Sequence, residues 1–363
     1  MLFGGAYDGR RVLVTGFAGF KGSWLTAWLC ELGAEVCGYS LRPGTQYELF
    51  EILDLPSRMF AAEFADICDA QKLEDFFCSV RPQTVFHLAA QPLVRLSYAE
   101  PVETYRTNVM GTLNVLEAAR KCGSVEAFVN VTSDKCYENS ETGRAFSEGD
   151  PMGGFDMYSS SKGCSEILTA SYRRSFLDGG RGYALASARA GNVIGGGDWA
   201  ADRLVPDCVR ALASGAPIEI RNPGAVRPWE HVLEPLAGYL LLGRRLLEEP
   251  EKFADCFNFG PSEGSVLNVG RIAEMIVRRW GGGEIRTPSS AGPHEARLLS
   301  LDISKAASLL GFRPVADASQ AVDMTVDWYG NFYGGRVDMR EFTLSQLEDF
   351  CAAARGKNIV WSK

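Results

Sequence analysis

Arg11-Val12-Leu13-Val14-Thr15-Gly16-Phe17-Ala18-Gly19-Phe20-Lys21-Gly22 decides how the rest of the chain is read. Its first five residues form an apolar, β-branched run of strand length. Glycine then recurs at every third position, and Lys21 to Leu32 carries the spacing of an amphipathic helix. Such a turn, between a strand and a helix, lets a pyrophosphate approach backbone N–H groups at the positive end of the helix. Gly16, Phe17, Gly19, Phe20, Lys21 and Gly22 are therefore expected to hold a dinucleotide.

Working outward, Val36 to Ser40, Phe60 to Ala65, Thr84 to Ala89 and Ala127 to Val131 read as further strands. Gln71 to Val80 and Val102 to Lys121 read as helices between them. Strands separated by helices imply right-handed crossovers and a parallel sheet covered on both faces. The expected fold is α/β, a doubly wound parallel sheet of Rossmann type. A helix from Tyr158 to about Phe176 and a strand at Ala184 to Ala190 complete that domain, placed at residues 1–190 with some later segments returning to it. Residues 191–363 are expected to form mainly a smaller, loop-rich α/β lobe for the substrate, with helices near Pro206–Ser214, Leu233–Leu247, Val269–Trp280 and Ile303–Leu310.

At 363 residues the chain is long for a single core. Its net charge of −8 disfavours nucleic acid as a partner. It has no apolar run of membrane-spanning length and no signal-peptide pattern near the start. The ten cysteines are scattered without a C-x-x-C pair, and with only three histidines no metal site is expected. A reduced, cytoplasmic protein is the expectation.

Tyr158-Ser159-Ser160-Ser161-Lys162 places a phenol and an ammonium four residues apart, on one face of a helix. A lysine and a cationic nicotinamide ring beside the tyrosine are expected to lower the phenol pKa and create a base for a hydroxyl group. The strand before it ends in Thr132-Ser133-Asp134-Lys135.

The glycine spacing of the first turn resembles the extended short-chain dehydrogenase/reductases. That resemblance implies that Asp66 and Ile67 meet the adenine, that Leu88, Ala89 and Ala90 lie beside the cofactor, and that Ser133 joins Tyr158 and Lys162 in catalysis. A carboxylate usually ends the second strand and binds the ribose 2′-hydroxyl. Here Ser40 and Arg42 stand in that region, and Arg42 suits a 2′-phosphate, so NAD is the expected cofactor with NADP left open. Asp66 as a capping residue, and Asp134 and Lys135 as solvated charges at a strand end, are the plainer alternatives.

Longer segments resemble one family within that superfamily, the CDP-glucose 4,6-dehydratases. They include Gly19-Phe20-Lys21-Gly22-Ser23-Trp24-Leu25, Ala90-Gln91-Pro92-Leu93-Val94-Arg95, Thr132 to Asn139, Ala188 to Trp199 and Arg227 to Pro235. Met157 departs from that pattern, since a proline commonly precedes the tyrosine. The resemblance implies oxidation at C4 of a nucleotide-linked sugar, loss of water across C5 and C6, and return of hydride to C6. Lys135 is then the candidate C5 base and Asp134 the acid at the C6 hydroxyl. Gln91, Asn192, Arg203, Arg227 and His231 are candidates for substrate binding, with Arg189 a weaker one, and Trp199 and Trp229 are possible flanks for the pyrimidine. A homodimer or homotetramer, a CDP-glucose substrate and a place in deoxysugar or O-antigen biosynthesis are also implied. A 4-epimerase would need only Ser133, Tyr158 and Lys162, and a cofactor-binding regulator would need no turnover.

Overall fold

The computed structural model describes residues 1–44, 47–139, 141, 143–177, 179, 182–287 and 299–363. The strands in chain order are β1 (Arg11–Thr15), β2 (Glu35–Ser40), β3 (Ala61–Phe64), β4 (Thr84–His87), β5 (Ala127–Val131) and β6 (Ala184–Ala190). They continue with β7 (Asn192–Ile194), β8 (Ile218–Glu219), β9 (Val226–His231), β10 (Cys256–Phe259), β11 (Val266–Asn268) and β12 (Ile285–Arg286). Seven of them form one sheet in the order β10-β6-β5-β4-β1-β2-β3, with every neighbouring pair parallel. The order reverses where β1 lies between β2 and β4, so a crevice opens at the carboxyl ends of these strands.

Alternate residues of a strand face opposite sides of the sheet, and β1 divides its side chains accordingly. Val12 and Val14 enter one core with Trp24, Leu25, Leu236 and Leu240. Leu13 enters the other with Leu73, Phe77, Val115 and Leu116. The helices Phe20–Glu31 and Leu233–Glu248 thus cover one face, and Ala70–Val80 and Thr112–Cys122 the other. Burial on both faces is why the strands read as apolar runs.

Just past Gly191 the chain leaves the main sheet. β7, β9 and β11 form a small sheet in the order β11-β9-β7, and β8 pairs with β12. Beyond residue 190, β10 returns to pair with β6, and the helix Leu233–Glu248 packs on β5 and β6.

Three features differ from the sequence expectation. The helix expected at Val102 to Lys121 is built as Pro101–Tyr105, a π-helical stretch Arg106–Gly111, and Thr112–Cys122. The bulge turns Asn108 inward, where its side chain accepts from Gln91 N at 2.8 Å and donates to Gln91 O at 3.1 Å and Ser161 Oγ at 2.9 Å. β10 carries no alternation that marks it in isolation, because it is buried on both sides. The helices Ala318–Gly334 and Met339–Gly356 were also not anticipated; the first opens with a capping box of Asp317 and Gln320.

Beyond these helices, Trp361 is fully buried, stacked on Phe3 at 5.2 Å and Phe350 at 5.9 Å, with Trp28 edge-on at 5.6 Å. Removing an indole from such a setting costs about 3–5 kcal/mol. Trp361→Ala should therefore lower the urea midpoint strongly with an unchanged m-value. A midpoint equal to the parent's would show that these rings do not bear on the main core.

Candidate active site

The first turn leaves no room for side chains. Gly16 has φ +74, and a Cβ there would lie 2.8 Å from the Ala89 nitrogen. On Gly22 a Cβ would fall 2.0 Å from the Gly16 oxygen. These glycines bring β1, the loop after β4 and the start of the helix Phe20–Glu31 into backbone contact. The resulting cradle beside a helix N-terminus is of the kind that accepts a pyrophosphate.

His87, at the end of β4, holds the same junction. Its Nδ1 lies 2.6 Å from Thr15 Oγ1 and its Nε2 3.1 Å from Thr112 Oγ1. The Thr112 hydroxyl already donates to Asn108 O, so it accepts from His87 Nε2–H, and Thr15 donates to Nδ1. Burial lowers the His87 pKa to about 3, which keeps the ring neutral. Thr15 Oγ1 also accepts from the Leu88 and Ala89 nitrogens, each at 3.2 Å.

A cleft of about 2080 Å³ runs from this turn into the C-terminal lobe. Of the residues expected at the cofactor, Gly16, Gly19, Phe20, Lys21, Gly22, Ser40, Arg42, Asp66, Ile67, Leu88, Ala89, Ala90, Tyr158 and Lys162 line it. Phe17 does not. It is fully buried and packs on Phe50 and Phe64, because the turn directs its side chain into the core.

Arg42 is committed to other groups. Its guanidinium lies 3.0 Å from Glu51 and 3.7 Å from Glu48, and 4.4 Å above the Phe64 ring. A 2′-phosphate would have to displace or repel these carboxylates, so the residues around the second strand fit NAD better than NADP. Sequence spacing does not show this pairing, because no carboxylate directly follows β2. Asp66 faces the cleft and does not cap the next helix: its Oδ1 accepts from the Cys68 nitrogen at 2.8 Å in a local turn, and Asp69 caps Ala70–Val80.

On the opposite wall, Ser133, Asp134, Lys135, Tyr158 and Lys162 come together in the same cleft. Ser133 caps a 3-10 turn, its Oγ accepting from the Lys135 nitrogen at 3.3 Å and donating to Asp134 Oδ1 at 3.0 Å. Asp134 is buried, and its Oδ2 has no partner among the described residues. The helix Met157–Tyr172 begins at Asp156, whose carboxylate accepts from the Ser159 nitrogen at 2.9 Å and the Ser159 hydroxyl at 2.7 Å. An aspartate cap thus starts this helix where the family pattern has a proline. Gly163 lets the helix approach the turn, since a Cβ there would lie 2.7 Å from Gly153 O and 3.2 Å from Cys136 O.

Burial dominates the electrostatics. It pushes the Tyr158 phenol up to about 12, with the interaction with Ser133 pulling the other way. It lowers Lys162 to about 8, helped by the nearby Lys21 ammonium and opposed by Glu166. The depressed phenol expected from the sequence is therefore not a property of the protein's own groups, because desolvation outweighs them. Lys21 is likewise lowered to about 8 by burial, against the pull of Glu230, and its Nζ donates to the Tyr239 hydroxyl at 3.2 Å.

Among the substrate candidates, Gln91, Asn192, Arg203 and Arg227 line the cleft. Gln91 is also engaged internally, donating to Thr104 Oγ1 at 2.9 Å. Arg203 pairs with Asp198 at 2.8 Å, and Arg227 Nη1 donates to Val226 O at 2.8 Å. His231 lies outside the cleft, fully buried and edge-on to Trp24 at 5.8 Å, because its position on β9 points into the core. Arg189 is also withdrawn from the cleft into a buried ion pair with Glu166. Trp199 and Trp229 both reach the cleft wall. Trp199 belongs to an aromatic cluster with Trp328, Tyr329 and Phe332, and Trp229 Nε1 donates to Leu267 O.

Comparison with known proteins agrees with this arrangement. The family described as GDP-mannose 4,6 dehydratase matches residues 13–325. A CDP-glucose 4,6-dehydratase of Salmonella typhimurium is 45% identical over 352 residues, covering 96% of this chain and 98% of that protein. The structure of Thermus thermophilus UDP-glucose 4-epimerase in complex with NAD superposes with a TM-score of 0.76 at 26% identity, covering 90% of this chain and all of that one. A dTDP-glucose 4,6-dehydratase from Streptomyces venezuelae, with NAD and TYD bound, shares the fold with a TM-score of 0.76 at 24% identity, over 91% of this chain and 99% of that one. With its parallel sheet, glycine turn and Tyr158–Lys162 pair, the chain belongs to the GDP-mannose 4,6 dehydratase family, within the extended short-chain dehydrogenase/reductases.

Proposed function

We propose that this protein is an NAD-dependent hydro-lyase that converts CDP-D-glucose to CDP-4-dehydro-6-deoxy-D-glucose. The observation that carries this reading is the meeting of Asp134 and Lys135 with Ser133, Tyr158 and Lys162 in one cleft. The choice of the cytidine nucleotide rests on the 45% identity with the Salmonella enzyme.

NAD, held by the glycine turn with Ser40, Asp66 and Lys162, would supply a hydride acceptor and donor for C4 and C6 and a positive charge that favours the phenolate. Tyr158 takes the proton of the C4 hydroxyl, and Ser133 donates a hydrogen bond to the same sugar oxygen. Lys162 orients the cofactor ribose and supplies charge beside the phenol. With C4 a ketone, C5–H is acidic, and Lys135 is the base that removes that proton. Asp134 is the acid that delivers a proton to the departing C6 oxygen, which leaves as water. Asn192, Arg203 and Arg227 would hold the nucleotide diphosphate, the two arginines as forked donors.

A 4-keto-6-deoxy product of this class would serve deoxysugar synthesis, with O-antigen sugars one destination. Val102, Met110, Met157 and Ile167 are exposed apolar residues on two neighbouring helical segments, and they support a homodimer paired through these segments. Sedimentation as a monomer at micromolar concentration would remove that assembly. Among the described residues no helix is long and apolar enough to cross a membrane. The cysteines, none of them paired, suit a reducing cytoplasm.

Asp134→Asn keeps Ser133, Tyr158 and Lys162 while removing the acid. Given CDP-glucose, it should still oxidise C4, seen as absorbance of the reduced nicotinamide, but form the 4-keto-6-deoxy product about 10²–10⁴-fold more slowly. Dehydration at the parental rate would remove Asp134 from its role. A parent that forms CDP-galactose without losing water would make the enzyme an epimerase, and one that leaves the sugar unchanged would favour a regulator.

Activity that needs the Lys162 ammonium should fall as pH rises through about 8, the value to which burial lowers it. A guanidinium stays charged well beyond that range, so Lys162→Arg should move this alkaline limb of kcat/KM upward. A limb that stays in place would assign it to Lys21, which is lowered to a similar value.

A further inference from the structure

Tyr158, Lys162 and Glu166 recur at intervals of four along one face of a single helix. The first two reach the cleft, whereas Glu166 is buried against the ends of β5 and β6. One of its carboxylate oxygens accepts from the Thr132 hydroxyl. The other accepts from the Ser187 hydroxyl at 2.7 Å and from Arg189 Nη2 at 2.8 Å. Thr132 immediately precedes Ser133.

Arg189 carries the connection to the far side of the catalytic turn. Its Nη1 donates to the Tyr137 hydroxyl at 2.7 Å, and its guanidinium lies 5.0 Å from that ring's centroid. Tyr137 follows Lys135 by two residues. Its hydroxyl donates to Asn258 Oδ1 at 2.7 Å, and its ring stacks on Phe146 at 5.0 Å. Asn258, on β10, donates in turn to Phe146 O at 2.9 Å. The segment Ser133-Asp134-Lys135 is thus gripped at both ends by one buried network, and that network is anchored on the helix that carries Tyr158 and Lys162.

We propose that Glu166 and Arg189 are positioning residues that lock the Tyr158–Lys162 helix in register with the Ser133-Asp134-Lys135 turn, acting through Thr132 on one side and Tyr137 on the other. The proposal rests on the dehydratase reading for the roles of Asp134 and Lys135. It gives Arg189 a task other than diphosphate binding. Apolar packing alone would hold the helix against the sheet, but it would not fix the helix along its axis to within the fraction of an ångström that proton transfer demands. Directional hydrogen bonds to a single carboxylate do so. Burying an ion pair is weak evidence for stability in itself, so a geometric role is the more economical account of this one.

Glu166 also has an electrical effect that a purely structural residue would lack. It supports the charged form of Lys162 against burial. The other groups acting on that ammonium are Lys21 from the first helix, which opposes its charge, and Cys136 from the catalytic turn, which favours it. Neutral His87 on β4 also faces it, its own pKa lowered in part by the Lys162 charge.

The test uses three variants of the whole protein, loaded with NAD. Glu166→Gln keeps the size of the side chain but removes its charge, and Glu166→Asp restores the charge. Tyr137→Phe keeps the ring stack and breaks the bridge from Arg189 to Asn258. Glu166→Gln should move the alkaline limb of the C4-oxidation rate to lower pH, and Glu166→Asp should bring it back. Tyr137→Phe should lower kcat for product formation about a hundredfold, the effect of displacing a catalytic group by about 1 Å, with KM nearly unchanged. Its NAD affinity, read by fluorescence, should stay close to the parent's. A limb unmoved in Glu166→Gln together with parental kcat in Tyr137→Phe would overturn the proposal. Should Glu166→Gln fail to fold, the result with Tyr137→Phe decides alone. A parent that oxidises C4 but never loses water would overturn the dehydratase reading instead, and the limb shift would still decide the role of Glu166.

Discussion

A methyl group on Gly22 would occupy the place of the Gly16 carbonyl, and one on Gly16 would strike the backbone of Ala89. This three-way backbone contact joins the end of β1, the loop after β4 and the first helix, at the point where the strand order reverses. The crevice exists because those segments meet so closely and then diverge. The Arg42 region lies on the β2 side of this contact, and Ser133 with the Tyr158 helix on the β5 side.

Around that contact the polar groups are arranged for neutrality. His87 is uncharged and holds one tautomer, since Thr112 can only accept and Thr15 is left to donate. Burial raises the phenol of Tyr158 and lowers the ammonium of Lys162, moving both away from their charged forms. In such a setting each additional charge acts over a longer range than it would in water. A dinucleotide and a nucleotide-sugar therefore bring strong fields into a site whose own groups are nearly balanced. Asp134, with one carboxylate oxygen engaged by Ser133 and the other without a partner among the described residues, stands at the centre of this arrangement.

The C-terminal lobe contributes through the same sheet. β6 ends in the catalytic region and continues past Gly191 into β7, and Gly191 lies so near Asp134 that a Cβ there would be 3.2 Å from Oδ2. Candidate binding residues on the lobe and the candidate acid Asp134 are thus joined through a single residue's backbone. The lobe is held in turn by the aromatic cluster of Trp199, Trp328 and Phe332.

The sequence by itself determined the parallel sheet, because strands buried on both faces are written as apolar runs and glycine spacing marks the first turn. It also put Tyr158 and Lys162 on one face, since an interval of four on a helix fixes a shared face without knowledge of anything distant, whereas Ser133 beside them was implied by the family resemblance. Local rules of this kind do not reach across the chain. Only the tertiary structure decided that Phe17 and His231 face the core, that Arg42 is neutralised by Glu48 and Glu51, and that Arg189 serves Glu166 and Tyr137. Each of these outcomes depends on partners brought together by folding, and the direction of the Tyr158 shift depends on burial that no residue spacing encodes. β10 and the last helices were missed for the same reason: their apolar residues gain meaning only from the surfaces they cover.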